Sequence, residues 1–235
     1  MFKKLVPFNA QTHANKKVKP VSDYRFAASS HLASLVVGEF ARVAPTYPIV
    51  FLKEGENEKY GVYALLGLKS GENLFVTEEG KWDAPYIPAI IRRYPFALGR
   101  GGGERQFIIC LDEESEFISE TEGQPLVGED GKPSAVIDKV KEYLSELYRM
   151  GELTERFCAE MVNMELLQPL TMQVKGPNDQ TPQTIAGCYG VSENKFNQLS
   201  DENFLELRKK GAISLIYAHL HSLSNVERLY QRHQK

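Results

Sequence analysis

PIVFLKEGENEKYGVYALLGL, residues 48–68, is the stretch whose reading decides the fold class. Pro48-Ile49-Val50-Phe51-Leu52 is rich in branched and aromatic side chains and reads as a buried strand. Residues 61–68 read as a second strand, and Gly55-Glu56-Asn57 between them as a turn. So short a connection joins antiparallel neighbours, because a parallel pair needs a crossover of about a dozen residues or more. Further along, residues 73–77 and 106–112 are strand candidates, set off by the turn clusters Lys69-Ser70-Gly71-Glu72 and Glu78-Glu79-Gly80-Lys81. Pro88 opens a short helix through residues 89–94, and Pro95 closes it. Upstream, Leu32, Leu35, Val36, Phe40 and Val43 recur at helical spacing and predict an amphipathic helix that Pro45 and Pro48 stop.

The second half reads differently. Ser134 caps a predicted helix carrying Val136, Val140, Leu144, Leu147 and Tyr148, which ends at Gly151. Thr154 caps the next, with Phe157, Met161, Met164 and Leu167 inward, so the two form an antiparallel pair. Residues 170–174 and 185–191 are predicted strand partners across a polar loop. Residues 192–199 and 200–210 follow as short capped helices, the second halted by Gly211. Residues 212–220 are predicted as a buried helix, and Ser224-Asn225-Val226-Glu227 matches a capping box for a last one. The expectation is a single α+β unit over residues 1–235: a lead over residues 1–25 free to move, a β-rich part at 45–118 and a helix-rich part at 134–235. The antiparallel sheet comes mainly from the first half and the helices from the second.

Composition sets the outer bounds. The chain has 235 residues, 42% hydrophobic and 25% charged, which is the profile of a folded globular protein and excludes disordered and collagen-like classes. The net charge of −3 supplies no global basic field, so no nucleic-acid partner is expected and electrostatic recognition must be local. The charge is uneven, with a basic start, an acidic middle and a basic end. Charged residues, glycine or proline interrupt each apolar run before the roughly 18 residues a membrane span needs. The start, Met1-Phe2-Lys3-Lys4-Leu5-Val6-Pro7, lacks the apolar core of an export signal. Cys110, Cys158 and Cys188 are odd in number and far apart, which suits a reducing compartment, and a cytoplasmic location is expected.

Few residues carry recognisable chemistry. His219 and His221 would face one side of a strand, but on a helix they diverge by about 200°, so no metal site and no cofactor is expected. The loop Gly99-Arg100-Gly101-Gly102-Gly103-Glu104 lacks the Lys-Ser or Lys-Thr pair of a phosphate cradle and reads as a flexible connection. The densest constellation is Trp82-Asp83-Ala84-Pro85-Tyr86-Ile87-Pro88 followed by Arg92-Arg93-Tyr94-Pro95-Phe96. Aromatic faces and guanidinium groups at that density can hold a carboxylate or a peptide, which makes Trp82, Tyr86, Arg92, Arg93 and Tyr94 the candidate partner-binding residues. The same residues suit a structural corner in which prolines set the direction and arginines bond the ends of neighbouring elements. For an enzyme, His219 and Glu39 are the candidate acid or base.

HLASLVVGEFARVAPTYPIVF (residues 31–51), ALLGLKSGENLFVTEEGKWDAPYIPAIIRRYPF (64–96) and KKGAISLIYAHLHSLSNVERL (209–229) resemble the SapC family, named for a protein associated with bacterial surface layers. The resemblance brings no assigned reaction and no catalytic residues. It implies a bacterial protein connected with surface layers, peptide handling or outer-membrane uptake, and not the membrane permease that shares the name. Two expectations follow: a non-catalytic binding or assembly protein with a protein or peptide partner, or an enzyme or enzyme accessory acting on a peptide or amino acid.

Overall fold

The two strands of the opening stretch pair antiparallel, Ile49 opposite Ala64 and Glu54 opposite Lys59, and the main sheet grows on both sides of them. A computed structural model describes residues 1–55, 59–101, 107–175 and 183–234. In chain order its strands are β1 (Leu5–Pro7), β2 (Lys17–Val18), β3 (Leu32–Ser34), β4 (Ile49–Glu54), β5 (Lys59–Leu65), β6 (Phe96–Arg100), β7 (Phe107–Asp112), β8 (Ile118–Ser119), β9 (Gln124–Pro125), β10 (Leu167–Val174) and β11 (Gln183–Val191). Its helices are α1 (Phe40–Val43), α2 (Ala89–Arg92), α3 (Ala135–Asn163), α4 (Glu193–Asn197), α5 (Asp201–Lys209), α6 (Ala212–Ser222) and α7 (Asn225–His233).

Three antiparallel sheets result: a five-stranded one in the order β10-β11-β4-β5-β3, and three-stranded ones in the orders β1-β7-β6 and β8-β2-β9. The protein is thus α+β in one compact unit, with the longer helices after residue 134. A large apolar cluster joins the five-stranded sheet to α1, α4 through α7 and the C-terminal part of α3. A smaller one, built on Phe96, Leu111, Leu126, Ile137 and Leu144, joins β6 and β7 to the N-terminal part of α3. With 29 residues, α3 is about 43 Å long and is the strut that crosses from the small core to the large one.

That helix differs from its expected form. Gly151 neither ends it nor begins a turn, and Thr154 is no cap: its Oγ1 donates to Met150 O at 2.7 Å within the helix and accepts Val37 N–H at 2.9 Å from outside it. Apolar positions before Gly151 pack into the small core and those after it into the large one, so packing on both sides holds the helix through it. Residues 32–43 are divided as well. Leu32–Ser34 pair with Tyr63–Leu65 of β5, a 3₁₀ turn follows at Val37–Glu39, and only Phe40–Val43 are α-helical. Sheet pairing outweighs the helical periodicity there. Residues 73–77 form no strand, because Asn73 turns the chain: its Oδ1 accepts Phe75 N–H and its amide donates to Ala27 O, both at 3.0 Å.

Of the serine caps, Ser192 and Ser200 accept the backbone N–H groups of Lys195 and Asn203, and Gly211 at φ +69° turns α5 into α6. Ser134 and Ser224 donate instead to Pro125 O and His221 O. The expected turn at Gly55-Glu56-Asn57 and loop after Gly101 fall largely outside the described residues, as does the loop between β10 and β11. Among the described residues no helix is long and apolar enough to cross a membrane.

Candidate binding site

Pro88 fixes the backbone entering α2, and the first N–H of that helix, from Ala89, donates to Glu39 Oε1 at 2.7 Å. The Glu39 carboxylate is only 4% exposed, and three donors justify its burial. The Tyr86 hydroxyl reaches Oε1 at 2.9 Å and Val36 N–H reaches Oε2 at 3.1 Å. Burial, and next the Glu39 charge, push the Tyr86 phenol above its ordinary pKa, so it stays a donor at neutral pH.

Tyr86 in turn fixes Arg92. The guanidinium donates to the Tyr86 hydroxyl at 3.0 Å and through Nε to Ile87 O at 2.9 Å. Its centre lies 5.3 Å from the Tyr86 ring and 5.6 Å from the Tyr143 ring, and Tyr143 itself is tied to Ala89 O at 2.9 Å. Arg92 is thus held by aromatic faces on an exposed surface, with Nη1 making no hydrogen bond among the described residues.

Beside it runs a groove of about 270 Å³ between β2, α2 and α3 whose walls include Lys19, Arg92, Arg93, Lys139, Tyr94 and Tyr143. No aspartate or glutamate lines it among the described residues. Several cations elsewhere are paired with a carboxylate: Lys4 with Glu113, Lys16 with Glu120, Lys59 with Glu155 and Lys210 with Glu160. Around the groove four cations have no carboxylate within ion-pair distance among the described residues. Arg93 is the most distinctive. Its Nε is buried without a hydrogen-bond partner, its guanidinium lies 5.4 Å over the Phe2 ring, and burial lowers its pKa from the ordinary value. Chemically, the arrangement is a receptor for an anionic group: fixed positive charge beside aromatic and apolar walls.

The groove and the Glu39–Tyr86–Arg92 relay both lie inside residues 8–229, which the SapC family model matches. The chain belongs to the SapC family. No curated protein and no solved structure matches it.

In this SapC-family chain the candidate residues divide into two groups. Arg92 and Arg93 line the groove, and Tyr86 holds Arg92 there without lining it. Trp82 points into the large core, where its indole N–H donates to the Tyr47 hydroxyl at 2.9 Å and its ring lies against Phe75 and Tyr24. Tyr94 borders the groove but is only 5% exposed, its ring stacked on Phe26 at 4.0 Å and its hydroxyl on Asp112 Oδ2 at 3.1 Å. Lys19, Lys139 and Tyr143 join the site without having been singled out in the sequence, since nothing local marks them.

The two acid or base candidates are apart. His219 is fully buried on α6 in the large core, Nδ1 on Ile49 O at 2.9 Å and Nε2 accepting Val191 N–H at 3.0 Å. Glu39 is engaged at α2, and neither residue lines the groove. His221 stacks on Tyr217 on another side of α6 from His219. Among the described residues no group of three or more His, Cys, Asp or Glu side chains is placed to hold a metal ion.

Proposed function

We propose that this SapC-family chain is a non-catalytic binding or assembly protein that grips an acidic segment of a protein or peptide partner in the groove beside α2. The observation that carries the reading is the set Lys19, Arg92, Arg93 and Lys139 on one groove without a carboxylate among its described walls. Each charge-assisted hydrogen bond to such a group contributes about 1.5–3 kcal/mol. The family name supports a link to bacterial cell-surface, peptide-handling or outer-membrane uptake systems. The free and buried thiols of Cys110, Cys158 and Cys188 support a cytoplasmic setting for that work.

Fluorescence anisotropy with a labelled octaglutamate, and octalysine as control, tests the reading. Octaglutamate binds and octalysine does not, added salt weakens the binding, and Arg92→Gln with Lys139→Ala lowers affinity at least about tenfold, the loss of one charged hydrogen bond. Equal affinity of wild type and double variant, both with native circular dichroism, refutes it.

A further inference from the structure

A second cavity, about 410 Å³, opens where α3 passes from the small core to the large one. That volume falls within the roughly 300–1,000 Å³ of small-molecule sites. Leu144, Leu147, Tyr148 and Gly151 of α3 form one wall, β5 another, and Leu98 and Phe107 of β6 and β7 a third. At its mouth the Phe107 and Tyr148 rings lie 4.3 Å apart and are 40% and 44% exposed, an apolar surface left open among the described residues.

Gly151 adds an independent observation. A glycine inside a helix costs about 1 kcal/mol relative to alanine, and such a residue commonly makes room for a close neighbour. Here a Cβ would meet nothing within 4 Å, so no packing contact requires the glycine. What its missing side chain leaves is space on the cavity wall.

The charges around the cavity are unequal. Glu54 is bonded by the Tyr63 hydroxyl at 2.6 Å, and Glu155 pairs with Lys59 at 3.1 Å. Arg93 and Arg100 also line it and have no carboxylate partner among the described residues. Two guanidinium groups without a carboxylate partner among the described residues, those of Arg93 and Arg100, therefore stand on the wall of a largely apolar cavity. The polar side chains on the sheet and helix walls, Tyr63, Glu54, Lys59 and Thr154, already have partners, so the chamber suits an aliphatic chain better than a peptide backbone.

We propose that this cavity is a binding site for an aliphatic carboxylate, with the acyl chain along Leu144, Leu147, Gly151 and Phe107 and the carboxylate on Arg93. Such a ligand buries apolar surface and sets its charge against a guanidinium that has no carboxylate partner among the described residues. The site extends beyond the acidic-partner groove, with which it shares Arg93 and Leu144.

Isothermal titration with decanoate tests it, with decanol and decylamine as tail-matched controls. Decanoate binds wild type at least about tenfold more tightly than either control, the value of one charge-assisted bond. Gly151→Phe fills the chamber and abolishes decanoate binding while octaglutamate binding persists; Arg93→Met makes decanoate no better than decanol. Arg92→Gln with Lys139→Ala does the reverse of Gly151→Phe, losing octaglutamate and keeping decanoate, so the two sites fail separately. No decanoate binding, binding unchanged in a folded Gly151→Phe protein, or decanol binding as tightly as decanoate overturns the proposal.

Discussion

His219 gives the sharpest prediction because its surroundings fix both its tautomer and its charge. Nε2 accepts the Val191 N–H, so the proton of the neutral ring sits on Nδ1 and is donated to Ile49 O. These bonds stand in for sheet pairing: β11 meets β4 in register only at Tyr189 and Phe51, and the imidazole joins Ile49 to Val191 instead. Ser222 completes the bridge by accepting Ile49 N–H at 2.9 Å. Gly190 lets the ring approach, since a Cβ there would lie 3.2 Å from Nε2. Burial, opposed by the bond to Ile49, lowers the His219 pKa from 6.5 to about 4. Between those values the unfolded chain binds a proton that the folded one refuses, so stability is fully present above pH 6.5 and is lost as pH falls toward 4. At about 1.4 kcal/mol per pH unit the loss is about 2 kcal/mol by pH 5 and about 3 kcal/mol in all. Urea unfolding of wild type and His219→Gln at pH 7.5, 6, 5 and 4.5 measures it. The variant is less stable at pH 7.5 by about 1–3 kcal/mol, because the flexible amide loses the ring's packing against Phe51 and must be ordered to make the same two bonds. Its deficit shrinks toward pH 4.5, since other titrating groups cancel in the difference. Parallel pH curves refute the reasoning, as does a His219 pKa near 6.5 measured by NMR in the wild-type protein.

Two further outcomes follow from buried carboxylates. Asp112 is fully buried and accepts Lys3 N–H at 2.9 Å, Lys4 N–H at 2.8 Å and the Tyr94 hydroxyl; burial alone would raise its pKa, but these donors outweigh it and hold the carboxyl below its ordinary range. Asp112→Asn costs about 2 kcal/mol at pH 7 and speeds amide exchange over residues 3–8, and its deficit shrinks as pH falls through the carboxyl's folded pKa; unchanged exchange there contradicts the role of Asp112 in fastening β1. Glu39→Gln turns one of the two oxygens that accept from Val36, Tyr86 and Ala89 into a donor and lowers stability by about 1–3 kcal/mol in thermal unfolding, yet it removes negative charge behind Arg92, so octaglutamate binds at least as tightly as before. A tenfold weaker complex would mean that the charge of Glu39 is needed to position Arg92.

What could be read from the sequence follows a physical boundary. The β4–β5 hairpin, the serine caps at Ser192 and Ser200 and the turn at Gly211 are decided by neighbours within a few residues, and all four are present. Gly151 and Thr154 carry the local signs of a helix end and a helix start, but the two cores pull the flanking segments into one rod, and the threonine hydroxyl serves Val37, far away in the chain. Leu32–Ser34 have the spacing of a helix and the partner of a strand, and the partner decides. The site obeys the same boundary. Tyr86, Arg92 and Arg93 are visible because aromatic and guanidinium groups are crowded within a few positions, whereas Trp82 and Tyr94 look identical in sequence and turn inward to Tyr47 and Phe26. Lys19 and Lys139 are ordinary lysines until β2 and α3 set them against α2. A net charge of −3 says nothing of this groove, because what makes it attract an anion is which cations the fold leaves without a carboxylate. Lys16 and Lys19 show how fine that selection is. They lie three residues apart on the same basic lead, yet Lys16 is neutralised by Glu120 while Lys19 faces the groove.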